Sequence, residues 1–165
     1  MSLERLWAGW RATYIEGVAN VAPPLDGCLF CALRDGTGDD DQVVARADHT
    51  FAVLNLYPYA SGHLLVVPNR HVSDLEALTP DEASALMSMT QQATVSVKAA
   101  YHPDGVNLGV NLGRAAGAGV PGHLHVHVVP RWIGDTNFMT SVAEARVLPE
   151  ALPRSFERLR AAWPT

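Results

Sequence analysis

Residues 123 to 130 read His-Leu-His-Val-His-Val-Val-Pro. A period of two fits a β-strand and no helix, because successive strand side chains point to opposite faces. The run therefore predicts a strand with His123, His125 and His127 in a row on one face and Leu124, Val126 and Val128 packed behind them. Such a row calls for a chemical reason. Histidine is costly to desolvate in its charged form, and the neutral ring is the side chain best suited to nucleophilic, acid–base or metal work near neutral pH.

The rest of the chain limits what that chemistry serves. At 165 residues it has the length of one ordinary domain, able to bury about 70% of the surface its unfolded form exposes. Twelve Lys and Arg against seventeen Asp and Glu give a net charge of −5 with no basic cluster, which argues against a nucleic-acid-backbone binder. The start of the chain lacks a continuous apolar stretch, and no segment approaches the about eighteen apolar residues of a membrane span, so a cytoplasmic chain without a membrane partner is expected. Cys28 and Cys31 form Cys-x-x-Cys, which in a reducing compartment reads as a metal or redox site before a structural disulfide.

Patterning predicts an α+β domain with a mostly antiparallel sheet and one long helix. Leu3, Leu6, Trp7 and Trp10 lie at helical spacing within a short helix ending near Tyr14, and Pro23-Pro24 separates it from the rest of the chain. The polar stretch Asp35–Asp41 is a turn or loop. Strands are expected at Val43–Ala45, Phe51–Leu56, His63–Val67, Gly105–Leu112 and His123–Pro130, the last two joined by the glycine-rich segment Gly113–Gly122. Thr79-Pro80-Asp81-Glu82 combines an N-cap, a proline at the first helical position and a capping-box glutamate. The helix it opens runs to about Ala100 with Ala83, Leu86, Met89, Ala93 and Val97 inward and its methionines as core fillers. A tail helix over Arg154–Trp163 is expected on the surface or across a subunit interface. The domain plan is thus an N-terminal helical arm over 1–20, a catalytic domain over 21–140 and a helical tail over 141–165.

Geometry separates the histidines into jobs. On a strand His123 and His127 stand roughly 13 Å apart, whereas a zinc–imidazole bond is about 2.0–2.1 Å. One ion cannot take all three rings, so at least one imidazole is left for other work. The glycine-rich segment is no P-loop, lacking Gly-Lys-Ser/Thr, and serves either as a flexible connection or as an anion site, with Arg114 pairing with phosphate or solvated. Cys28 and Cys31 need further ligands to hold a metal, and His71 and His123 are available; otherwise the cysteines pack as small hydrophobes.

Taken with Gly62-His-Leu-Leu-Val-Val-Pro68 and His71, the alternating run resembles the histidine triad family, whose signature is three histidines alternating with hydrophobic residues. The likeness spans Gly27 to Asn137. It implies the family's α+β fold, a homodimer whose sheets join across the two-fold axis, and nucleotidyl transfer or hydrolysis at the α-phosphate of a nucleotide. By the same resemblance His125 is the nucleophile that forms a nucleotidyl-histidine, His127 hydrogen-bonds the phosphate, and His63 is the supporting fourth histidine. Asn55 falls where the family places its ribose-binding residue. Asn111 falls at its polar residue before the glycine loop. Phe30, Leu33, Val53 and Leu56 are candidates for the base pocket, with plain core as the competing role. Cys28-Leu-Phe-Cys31 resembles the zinc-bearing members, which implies a structural Zn2+ on Cys28, Cys31, His71 and His123.

One stretch departs from the family. Many members carry Gly-Gln-Ser/Thr-Val ahead of the triad, whereas this chain has Ala118-Gly-Val-Pro-Gly122, so those side-chain contacts are missing and Arg114 or main-chain N–H groups are left to replace them. The wider context resembles the family's bacterial diadenosine-tetraphosphate phosphorylases, and Trp132, just past the triad strand, is placed to stack on a base or cap the site. That resemblance implies cleavage of a dinucleoside polyphosphate with phosphate or water as acceptor. The alternatives are a phosphoramidase-like hydrolase of AMP conjugates and a non-catalytic nucleotide-binding zinc protein.

Overall fold

The computed structural model describes residues 27–36, 42–135 and 150–164. The expected helix ending near Tyr14, the arm over 1–20 and most of the Asp35–Asp41 loop lie outside the described residues, as does the first part of the tail. The elements in chain order are α1 (Leu29–Arg34), β1 (Val43–Arg46), β2 (Thr50–Leu54), β3 (Leu64–Pro68), α2 (Pro80–Tyr101), β4 (Gly105–Val110), β5 (Val126–Arg131) and α3 (Leu152–Ala161). The five strands form one sheet in the order β1-β2-β3-β5-β4, every pair antiparallel. This is the expected α+β architecture. No helix of the described residues is long and apolar enough to cross a membrane.

The two faces of the sheet are covered unequally. One face, carrying Val44, Ala52, Leu54, Leu64, Val66, Val126 and Val128, packs on Leu86, Met89, Ala93 and Val97 of α2 and Leu159 of α3. On the other face Phe30 and Leu33 of α1 cover Val43, Phe51, Val53, Leu65 and Val67 of β1, β2 and β3. With apolar cover on both sides, β2 and β3 are buried at every residue and read as unbroken apolar runs. The β5–β4 half of that second face is left for the histidines, and β4 keeps Asn107, Leu108 and Gly109 exposed.

The long helix starts as predicted. Thr79 Oγ1 accepts from the Glu82 N–H, and the Glu82 carboxylate accepts from the Thr79 N–H at 2.9 Å. The same carboxylate takes two bonds of 2.7 Å from Arg70, which ties the exit of β3 to the start of α2. Two expectations on this helix fail: Ala83 and Met87 face solvent, because the inward stripe of 86, 89, 93 and 97 is already complete without them. The strand expected over His123–Pro130 begins only at Val126. Its pairing with β3 stops at Val66↔Val126. Pro68 has no N–H to extend the ladder, and its carbonyl is taken instead by the His123 ring. The alternation nonetheless holds, since Leu124 enters the main core while His123 and His125 stay on the α1 side against Phe30.

The tail helix differs from its expected surface or interface position. Leu159 is fully buried in the main core, and Ser96 of α2 donates from Oγ to the Leu159 carbonyl at 2.8 Å. Glu150 just ahead of α3 accepts from Tyr101 Oη at 2.6 Å, Ser155 Oγ at 2.8 Å and Arg158 Nη1 at 2.9 Å. Burial, and then the Glu150 carboxylate, push the Tyr101 phenol up to about 12. The Tyr101 ring lies so close to Gly62 that a Cβ there would collide with it, and Gly62 also holds φ +81°. Tail, helix end and the residue preceding His63 are thus one packed unit.

Both the tail and the capping carboxylate can be tested by stability. Leu159→Ala lowers stability by about 2–5 kcal/mol in denaturant melts, whereas a tail lying loosely on the surface would leave the midpoint unchanged. Arg70, then the Thr79 N–H, holds the Glu82 carboxyl at about 2 against its usual 4.5. A depressed carboxyl stabilises above its unfolded value and loses that contribution as pH falls through its folded value. The parent is therefore more stable than Glu82→Gln above pH 4.5, and the two converge as the pH drops to about 2, read from thermal midpoints across that range.

Candidate active site and metal centre

Cys28 caps α1, Cys31 sits in its first turn, His71 follows β3 and His123 precedes β5. Their donor atoms all lie within 4.8 Å of one another. Cys28 Sγ is 3.3 Å from His123 Nδ1, Cys31 Sγ is 3.8 Å from the same nitrogen, and Cys31 Sγ is 3.4 Å from His71 Nδ1. Metal bonds of about 2.0–2.3 Å at tetrahedral angles put neighbouring donors roughly 3.3–3.8 Å apart, so these separations match the edges of a coordination tetrahedron. His123 donates from Nε2 to the Pro68 carbonyl at 2.8 Å, which leaves the Nδ1 lone pair aimed at the sulfurs. Burial, then the neighbouring Cys28, push the Cys31 thiol up, as two sulfurs side by side do. The cluster can hold a metal ion.

The other two triad imidazoles stand apart from that cluster, with ring centroids 5.0 Å from each other. His125 Nδ1 is 2.9 Å from the His123 carbonyl. A carbonyl only accepts, so His125 carries its proton on Nδ1 and keeps the Nε2 lone pair. Burial lowers the pKa of His125, which keeps the ring neutral and the lone pair available at pH 7.

His127 is set by a longer chain of bonds. The Tyr59 N–H, which can only donate, points at His63 Nδ1 from 3.0 Å, and Asn55 Nδ2 approaches the same nitrogen at 3.3 Å. The His63 proton is therefore on Nε2, from which it is donated to His127 Nδ1 at 2.9 Å in a buried bond. His127 in turn carries its own proton on Nε2. Asn111 Nδ2, which donates to the Gly117 carbonyl at 3.5 Å, lies 3.4 Å from that nitrogen. Burial, then His125, drive the pKa of His127 down to about 4. A neutral ring with an unshared lone pair and a neutral N–H donor stand side by side.

The space beside them is open on the β4 side. Gly109 is the residue directly across from His127, and among the described residues a Cβ built on it would meet nothing within 4 Å. Glycine there leaves the sheet face beside His127 without a side chain.

The remaining sequence candidates divide. Phe30, Leu33 and Val53 come together as packed core, and Phe30 meets the His123 and His125 rings at 5.5 and 5.2 Å, while Leu56 lies outside that cluster and is exposed. Asn55 uses its amide on His63 and its oxygen on the Tyr57 N–H. Arg114 sits in a short 3-10 turn of the glycine segment, exposed to solvent. Trp132 meets Tyr101 edge-on at 6.4 Å, and so lies by the end of α2. Tyr59 is the residue that sequence reasoning missed: its ring is 4.7 Å from His63 and, nearly parallel at 13°, 5.7 Å from His127. An aromatic held between Pro58 and the approach to His63 was the available signal.

Fold and site together define a histidine triad protein, and the chain belongs to that family: the HIT domain matches residues 37–132. Within the family the chain is 42% identical over 165 residues to an AP-4-A phosphorylase of Mycobacterium tuberculosis, covering 98% of this chain and 85% of that protein. A Zn-bound histidine triad family protein from Mycobacterium smegmatis superposes with a TM-score of 0.69 at 31% identity, over 82% of this chain and 92% of that one. A hypothetical histidine triad nucleotide-binding protein from Sulfolobus tokodaii gives 0.68 at 28% identity, over 82% of this chain and 91% of that one.

Removing one donor tests the metal centre. Cys28→Ser lowers the metal content of the purified chain and its thermal midpoint together, and metal content equal to the parent's would overturn the four-donor assignment.

Proposed function

We propose that the chain cleaves a dinucleoside polyphosphate, diadenosine tetraphosphate foremost, by nucleotidyl transfer through His125. The observation that carries this reading is the unshared lone pair on His125 Nε2, created by the bond from Nδ1 to the His123 carbonyl. In the first step that lone pair forms an N–P bond to the α-phosphorus, and the P–O bond to the remaining polyphosphate breaks, its electron pair leaving with the oxygen. The His127 Nε2–H stabilises the charge on the phosphoryl oxygens as it redistributes. The departing polyphosphate has room over Gly109, where the sheet face carries no side chain. In the second step an oxygen of the acceptor attacks phosphorus, the P–N bond breaks and the pair returns to Nε2. Identity to an AP-4-A phosphorylase supports inorganic phosphate as that acceptor.

The ion we assign to the Cys28, Cys31, His71 and His123 cluster is zinc, which a tetrahedral set of two thiolates and two imidazoles suits. Bound there, it would tie α1 to the segments flanking β3 and β5 and hold His123, whose carbonyl orients the nucleophile. A homodimer through β4 is the assembly we propose, supported by the edge position of that strand and by Leu108 and Leu112, which are 53% and 43% exposed.

The test is product analysis with diadenosine tetraphosphate, with and without phosphate, beside His125→Ala. ADP plus ATP formed only with phosphate, and only by the parent, is the expected result. AMP plus ATP without phosphate would make water the acceptor, and unchanged turnover in His125→Ala would remove the nucleophile assignment.

A further inference from the structure

The loop 55–62 between β2 and β3 holds an aromatic side chain that takes no part in the bond-making and bond-breaking of nucleotidyl transfer. We propose that Tyr59 is a positioning residue for His127: it keeps the His127 proton on Nε2 and closes one face of that ring to water. The proposal rests on the nucleotidyl-transfer reading for its purpose and on the loop's own geometry for its substance.

The loop is fixed before it reaches the site. Asn55 N–H donates to the His63 carbonyl at 3.0 Å, His63 N–H to the Ala60 carbonyl at 3.2 Å, and Tyr57 N–H to Asn55 Oδ1 at 3.0 Å. These bonds hold Tyr59 where its N–H meets His63 Nδ1 and its ring packs tilted at 48° against His63 and near-parallel at 13° to His127. The residue is 47% exposed, while its ring stands against the buried imidazoles.

Its two parts act on one atom. The main-chain N–H dictates the His63 tautomer, and through the 2.9 Å bond between the two rings it dictates that of His127. The side chain keeps water from the His127 face, where hydration would favour the imidazolium. The groups facing His127 are His63 at the head of β3, His125 on β5 and Tyr59, while β4 contributes Gly109 and Asn111 lies just past its end. A ring that stays neutral with its proton on Nε2 always presents a donor to the phosphoryl group. A ring free to exchange tautomers would present a lone pair to an anion part of the time.

The experiment uses the full chain labelled with 15N-histidine, whose two-bond proton–nitrogen spectra report tautomer and titration of each imidazole without any substrate. In the parent His127 is expected as the Nε2–H form. In Tyr59→Ala its titration moves up by about one pH unit or more as burial is relieved. The acidic limb of kcat moves with it, and kcat falls more than KM changes. Tyr59→Phe, which keeps the ring and the N–H, restores both. An Nδ1–H form in the parent overturns the proposal with no variant needed, and so does a Tyr59→Ala titration that stays in place. Absence of turnover in a parent that shows the expected tautomer would instead strike the nucleotidyl-transfer reading, so the two failures are told apart.

Discussion

The 2.9 Å hydrogen bond from His125 Nδ1 to the His123 carbonyl decides which nitrogen of the candidate nucleophile is free. The same device recurs around it. The Pro68 carbonyl holds the His123 proton on Nε2, and the Tyr59 N–H forces the His63 proton onto Nε2. Each anchor is a main-chain group whose role as donor or acceptor never changes, so the proton positions are properties of the backbone path. Burial completes the arrangement by keeping His123, His125 and His127 below their ordinary pKa and therefore neutral.

That backbone path is set by how the sheet is covered. On the site face α1 reaches β1, β2 and β3 but leaves β5 and β4, so the imidazoles sit at the border between packed core and open surface. Phe30 spans the border, since it belongs to the core beneath α1 and touches both His123 and His125. The helix that carries it has only six residues, too short to stand without tertiary support. Phe30 and Leu33 supply that support from the core, and Cys28 and Cys31, in the cluster that can hold a metal ion, lie at the place where His123 is oriented.

The opposite face contributes rigidity at a distance. The tail helix docks on α2, Glu150 gathers Tyr101, Ser155 and Arg158, and Arg158 lies over the Tyr101 ring at 4.4 Å. Tyr101 in turn packs on Gly62, immediately before His63. His63 is thus held from one side by the Tyr59 loop, while the end of the long helix packs on the residue before it.

Much of this was legible in the residue order. The alternation over 123–130 identified the imidazole face, Thr79-Pro-Asp-Glu82 located the start of α2, and the family resemblance grouped Cys28, Cys31, His71 and His123, which the structure brings within 4.8 Å. Short-range patterns suffice there because period, caps and motif spacing are local properties. Three things needed the folded chain. Ladder pairing ended at Val126, because the strand beside it runs into Pro68, and no single strand's sequence contains its neighbour. Leu159 proved to be core, because an amphipathic helix does not name the surface that will cover it. Tyr59 came onto His127, and the protons onto particular nitrogens, because tautomers are chosen by groups remote in sequence, here the 64 residues that separate His63 from His127. The order of residues decided which side chains face the site; the tertiary contacts decided where their protons are.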